Sequence, residues 1–107
     1  MADLGKATEG SLQSGIRPVL IVSNNKANQY SPIITVVPFT SRLSKHHLPT
    51  HVYMKKCGLK RPSIAMAEQV TSINKEKLLN QLGTIKNTIY EERIQIALKI
   101  QLCMEEL

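Results

Sequence analysis

Apolar residues along this chain come first in short runs and then at helical spacing. Residues 18–23 (Pro-Val-Leu-Ile-Val-Ser) predict a strand that opens on Pro18, where a missing N–H is tolerated. Residues 33–37 predict a second strand, rich in β-branched side chains and bounded by Pro32 and Pro38. Residues 51–54 predict a short third strand. Residues 63–70 predict a longer one, with Ile64, Met66, Glu68 and Val70 on one face by period two. Between them, residues 5–15, 24–29, 41–49 and 55–61 are polar and read as loops or turns. The last third changes period. Asn74 is placed to cap a short helix over residues 75–81, ending before Gly83. Thr88-Ile89-Tyr90-Glu91 fits a capping box opening a helix to about residue 104, with Ile89, Ile94, Ala97, Leu98 and Ile100 toward one side. Strands first and helices last predict an α+β, mainly β chain: a small twisted sheet or open barrel with a helix laid against it.

A length of 107 residues fits a single domain over 1–107. Cys57 and Cys103 form no metal or redox motif, which favours a reducing compartment. No apolar run has the length of a membrane span. The start Met1-Ala2-Asp3-Leu4 carries no secretory pattern, so a cytosolic location is expected. Charge is the sharper signal. Between Gly10 and Ala67 there is no Asp or Glu, yet Arg17, Lys26, Arg42, Lys45, Lys55, Lys56, Lys60 and Arg61 all lie there. An unneutralised cationic block of that length repels itself. It suits a polyanionic partner such as nucleic acid as well as it suits a merely solvated basic surface.

The residues that can carry chemistry are few. Arg17 stands at the start of a strand beside the glycine-containing loop, held extended by Pro18. There a guanidinium is either a phosphate clamp or a solvated side chain. Thr40 and Ser41, after Phe39, offer hydroxyl donors to a phosphoryl oxygen or bonds to their own backbone. Glu68 and Gln69 interrupt an apolar run, so the carboxylate is either part of an ion pair or held for function. His46, His47 and His51 lack companion ligands at metal spacing, so no metal is expected; one of them can serve as an acid or base. Gly5-Lys6 lacks the flanking residues of a phosphate-binding loop, and no cofactor is expected. Aromatics are scarce. Tyr30 and Phe39 are the candidates for stacking on a base, and any nucleic-acid recognition would rest mainly on pockets and hydrogen bonds.

In order, these segments resemble one family. Gly15-Ile16-Arg17-Pro18-Val19-Leu20-Ile21-Val22-Ser23-Asn24 is similar to the G-x-R-P-V-L-V-x-x-N start of MazF/PemK-type toxins of bacterial toxin–antitoxin systems. Pro38-Phe39-Thr40-Ser41, Leu48-Pro49-Thr50-His51-Val52 and Ala67-Glu68-Gln69-Val70 resemble the family's later segments, so the likeness spans essentially the whole chain. The resemblance implies an SH3-like β-barrel with a short helix and a C-terminal helix, usually a homodimer. It also implies a sequence-specific, metal-independent endoribonuclease acting on single-stranded RNA and held inactive by a cognate antitoxin with an acidic tail. Arg17 and Thr40 fall on the catalytic positions, and Ser41, Tyr30, Phe39, Glu68 and Gln69 are the expected RNA-binding residues. Two departures stand out. Met1 directly precedes Ala2-Asp3-Leu4, so the family's first strand is expected to be largely missing, and Leu12 stands where relatives usually carry an acid. Those departures support an alternative: a member without nuclease activity that binds a protein target, as a CcdB-like gyrase poison does.

Overall fold

A computed structural model of the protein describes residues 1–5, 13–44 and 48–104. Strands β1 (Ala2–Asp3) and β2 (Ile16–Arg17) form an antiparallel ribbon. Strands β3 (Val19–Ile21), β4 (Ile33–Thr40), β5 (His51–Met54), β6 (Ser63–Met66) and β7 (Thr71–Asn74) form a five-stranded sheet. The pairing path is β3-β4-β6-β5, with β7 alongside the first half of β4. Helix α1 (Asn25–Tyr30) joins β3 to β4, and α2 (Ile89–Gln101) packs across β5 and the turn that follows β6. The pairings describe an open sheet, mainly β with a C-terminal helix, and no closed barrel among the described residues. No helix there is long and apolar enough to cross a membrane.

Strand β4 is the organising element. Its predicted end at Val37 is passed, because Pro38 sits where its missing N–H is harmless. Val22 donates to Thr35 O and Phe39 donates to Pro18 O, so odd-numbered residues of β4 bond toward β3. Pro38 therefore faces the opposite edge, in the gap where β4 changes neighbour from β7 (ending at Val36) to β6 (starting at Phe39). Both faces of the sheet are buried. On one side Val37, Phe39, Val52, Met54 and Ala65 pack with Ala67, Ile94 and Ala97. On the other, Ile34, Val36, Ile64 and Met66 are at most 1% exposed. Each such side chain contributes roughly 1.5–3 kcal/mol by leaving water.

Three expectations need correction. Residues 24–29 are not a turn but most of α1, because the Asn24 side chain accepts from Ala27 N–H at 2.8 Å and starts the helix. The strand expected over 63–70 stops at Met66. Ala67–Gln69 is a 3₁₀ turn closed by Val70 N–H to Ala67 O, so the period-two alternation does not extend to Glu68 and Val70. The helix expected over 75–81 reduces to a 3₁₀ turn, Lys75–Lys77, since Asn74 is the last residue of β7 and makes no side-chain cap bond. Ala2 and Asp3, the segment that follows the family's first strand, form β1. Ala2 is fully buried and also bridges Leu78, while Leu79 N–H donates to Met1 O at 2.9 Å.

Candidate functional site

Arg17 is placed by β2 and by Pro18. It is half-buried, and its Nε donates to Ser14 O at 2.7 Å, which fixes one corner of the guanidinium. Val19 lies opposite Pro38, and Phe39 N–H donates to Pro18 O at 3.1 Å. Continued two residues past β3, that register runs toward Arg17 and Thr40, while the recorded strand partner of Arg17 is Ala2 in β1. Thr40 ends β4, is 3% exposed, and accepts from Arg42 N–H at 3.2 Å through Oγ1. That contact uses a lone pair and leaves the hydroxyl proton to donate.

A groove of about 560 Å³ opens along this edge. Arg17, Lys60, Arg61, Ser41 and Ser63 supply its polar groups, and no carboxylate lies among its described lining. Ser41 is exposed there, and Phe39, 5% exposed, borders it from the core. Phe39 is thus a packing residue and not an open stacking face. Thr40 alternates to the other face of β4 and is not part of the groove lining, whereas Arg17 is. The α-amino group of Met1, also on the groove, donates to Asn80 O at 3.0 Å, and burial lowers its pKa below the ordinary 8.0.

The remaining candidates are not among the described lining of the groove. Thr40, Ile64 and Tyr53 are consecutive cross-strand partners. Tyr53 therefore shares the Thr40 face roughly 10 Å away, two inter-strand spacings, and it is 46% exposed. Sequence reasoning missed Tyr53; its alternation with buried Val52 and Met54 was the available signal. Tyr30 is exposed but ends α1, ahead of Ile33, and so lies roughly 23 Å of strand from Thr40 within the chain. Glu68 is held twice: Thr50 Oγ1 donates to Oε1 at 2.9 Å, and His51 Nε2 lies 2.7 Å from Oε2. His51 Nδ1 accepts from Leu48 N–H at 3.3 Å, which assigns the ring proton to Nε2. Gln69 Oε1 accepts from Gln13 N–H at 2.9 Å. Leu12, His46 and His47 lie outside the described residues. Among the described residues no three His, Cys, Asp or Glu side chains are grouped to hold a metal ion.

Residues 1–102 match the family described as PemK-like, MazF-like toxin of type II toxin–antitoxin system. The protein named endoribonuclease EndoA from Bacillus subtilis (strain 168) is 34% identical over 105 residues, covering 96% of this chain and 89% of that protein. Among solved structures, an endoribonuclease in complex with its cognate antitoxin from a mycobacterial species has a TM-score of 0.78 at 26% identity, covering 99% of this chain and 91% of that one. MazF (Form-I) from Deinococcus radiodurans has a TM-score of 0.77 at 21% identity, covering 96% and 90%, and speaks to the fold alone.

Proposed function

The chain belongs to the PemK-like, MazF-like toxins of type II toxin–antitoxin systems, and from that premise we propose that it is an endoribonuclease whose reaction centre is built on Arg17 and Thr40. The observation that supports this reading is the cationic groove lined by Arg17, Lys60 and Arg61, together with a β3–β4 register that runs toward Arg17 and Thr40. The ribose 2′-hydroxyl attacks the adjacent phosphorus, and the bond from phosphorus to the 5′-oxygen breaks. The products are a 2′,3′-cyclic phosphate and a 5′-hydroxyl. Negative charge builds on the phosphorane, where a fixed guanidinium and a hydroxyl donor stabilise it. A guanidinium carries donors and no acceptor, so Arg17 acts as a charge stabiliser and not as the base.

The same reading makes the protein a cytoplasmic homodimer that takes single-stranded RNA, and gives its sheet the curvature of an SH3-like barrel. The β1–β2 ribbon, which reaches Leu78 through Ala2, supports that curvature. The cognate antitoxin presents an acidic tail to the same cations that hold RNA phosphates. The stretch from Gly10 to Ala67, free of carboxylates, suits either occupant. A tail that orders on binding loses entropy and must recover it through many contacts.

Incubation of the purified protein with a long single-stranded RNA in EDTA is expected to give fragments with 5′-hydroxyl ends, while DNA of the same sequence, lacking the attacking hydroxyl, stays intact. Intact RNA from a folded protein would favour the non-nuclease alternative. A second expectation concerns the groove. For a 2′-O-methyl RNA that cannot be cleaved, Lys60→Ala and Arg61→Ala each reduce the slope of log affinity against log salt by about 0.7, one phosphate contact on a single strand. An unchanged slope would move the RNA path off this groove.

A further inference from the structure

The 3₁₀ turn Ala67–Gln69 touches both loops that flank Arg17 and Thr40. Glu68 binds Thr50 and His51, the residues at which the 41–50 connection enters β5. Ala67 N–H donates to Thr50 O at 3.0 Å, and Leu48 is tied to His51 twice, through His51 N–H to Leu48 O at 3.0 Å and Leu48 N–H to Nδ1. The downstream end of the segment that begins at Thr40 is thus anchored to the turn. On the other side, Gln69 holds Gln13 N–H, and the next residue, Ser14, supplies the carbonyl that holds Arg17 Nε. His51 is nearly enclosed, its side chain 7% exposed, and Glu68 is 25% exposed. Both carboxylate oxygens are engaged by the protein.

Resting on the nuclease reading, we propose that Glu68 and Gln69 are positioning residues for RNA cleavage and not RNA contacts. Glu68 acts through Thr50 and His51 to fix the loop after Thr40. Gln69 acts through Gln13 and Ser14 to fix Arg17. Their position on one turn, which packs on α2 and buries Ala67, couples the two halves of the reaction centre and sets the spacing between guanidinium and hydroxyl. The neutral His51 tautomer fits this role, since the Nε2 proton is spent on Glu68 and the Nδ1 lone pair on Leu48.

Glutamine separates positioning from charge. At position 68 its carbonyl oxygen accepts from His51 Nε2–H and its amide donates to Thr50 Oγ1, so both contacts survive without the negative charge. Cleavage kinetics on a defined RNA should show Glu68→Ala losing up to about 10²-fold in kcat with KM little changed, as expected when reacting groups are misplaced. Glu68→Gln should stay close to wild type, and Gln69→Leu should lower kcat without raising KM. In ¹⁵N-resolved NMR the His51 Nε2–H signal should be protected in wild type and Glu68→Gln and lost in Glu68→Ala. If Glu68→Gln is as slow as Glu68→Ala, the carboxylate charge is used directly and the proposal fails. A rise in KM at constant kcat in either the alanine or the leucine variant would also overturn it, by making these side chains RNA ligands. Loss of all cleavage in the wild type would instead sink the nuclease reading, while the His51 signal would still report the anchor.

Discussion

Arg17→Ala is expected to lower the rate of RNA cleavage by about 10²–10³, the usual cost of removing one donor aimed at developing charge. Arg17→Lys should recover only part of the loss. The Nε of Arg17 is spent on Ser14 O, which fixes one corner of the fork at the groove. A lysine ammonium keeps the charge but has no equivalent of that anchored corner. The expected cost in stability is small. Arg17 is only half-buried and makes one hydrogen bond to the described backbone, so truncation costs about 1–2 kcal/mol. Initial rates in EDTA, alongside a thermal melt of each variant, separate the two effects. A folded Arg17→Ala protein that cleaves as fast as wild type would place the reaction centre elsewhere.

Strand β5 was legible to the residue, because Val52 and Met54 are buried while Tyr53 points outward, and period two records that directly. The long helix was legible from Thr88, whose Oγ1 accepts from Tyr90 N–H at 3.2 Å. Strand β7 was not. Thr71, Ser72 and Asn74 are polar and exposed, and their strand exists only because β4 offers an edge nearly forty residues earlier in the chain. The turn after β6 was hidden for a related reason. Ala67-Glu68-Gln69 contains neither Gly nor Pro, and what bends the chain there is tertiary: Ala67 N–H turns to Thr50 O, while α2 packs on the same residues. At the site, Arg17 and Thr40 stood out through family resemblance and not through any local pattern. The proposed approach of Arg17 to Thr40 depends on the register of β3 on β4, and the pairing of His51 with Glu68 on the register of β5 on β6. Neither register is written in composition or spacing.

Gly58→Ala is expected to produce the largest loss of stability of any single methyl addition described here, about 2–5 kcal/mol from overpacking and left-handed strain together. Gly58 has φ +89°, and a Cβ there would lie 2.0 Å from Leu82 O and 2.5 Å from Leu82 C. The partner is backbone, so no side chain can rotate away. The opposite side of the contact is equally tight: a Cβ on Gly83 would lie 2.3 Å from Cys57 O. The two glycines therefore let the β5–β6 connection rest directly on the segment that follows β7. Gly15→Ala is the control. Gly15 also has positive φ, +73°, but open space surrounds its would-be Cβ, so only the conformational cost of about 1–2 kcal/mol remains. Urea unfolding with an unchanged m-value should place the Gly58→Ala midpoint well below that of Gly15→Ala. The consequence reaches the groove, because Lys60 and Arg61 follow Gly58 by two and three residues and Leu82 lines the same groove. Whatever fraction of Gly58→Ala folds should bind uncleavable RNA more weakly than wild type. Equal midpoints for the two variants would mean that the contact between residues 58 and 82 yields freely, and that the cationic end of the groove is not held by it.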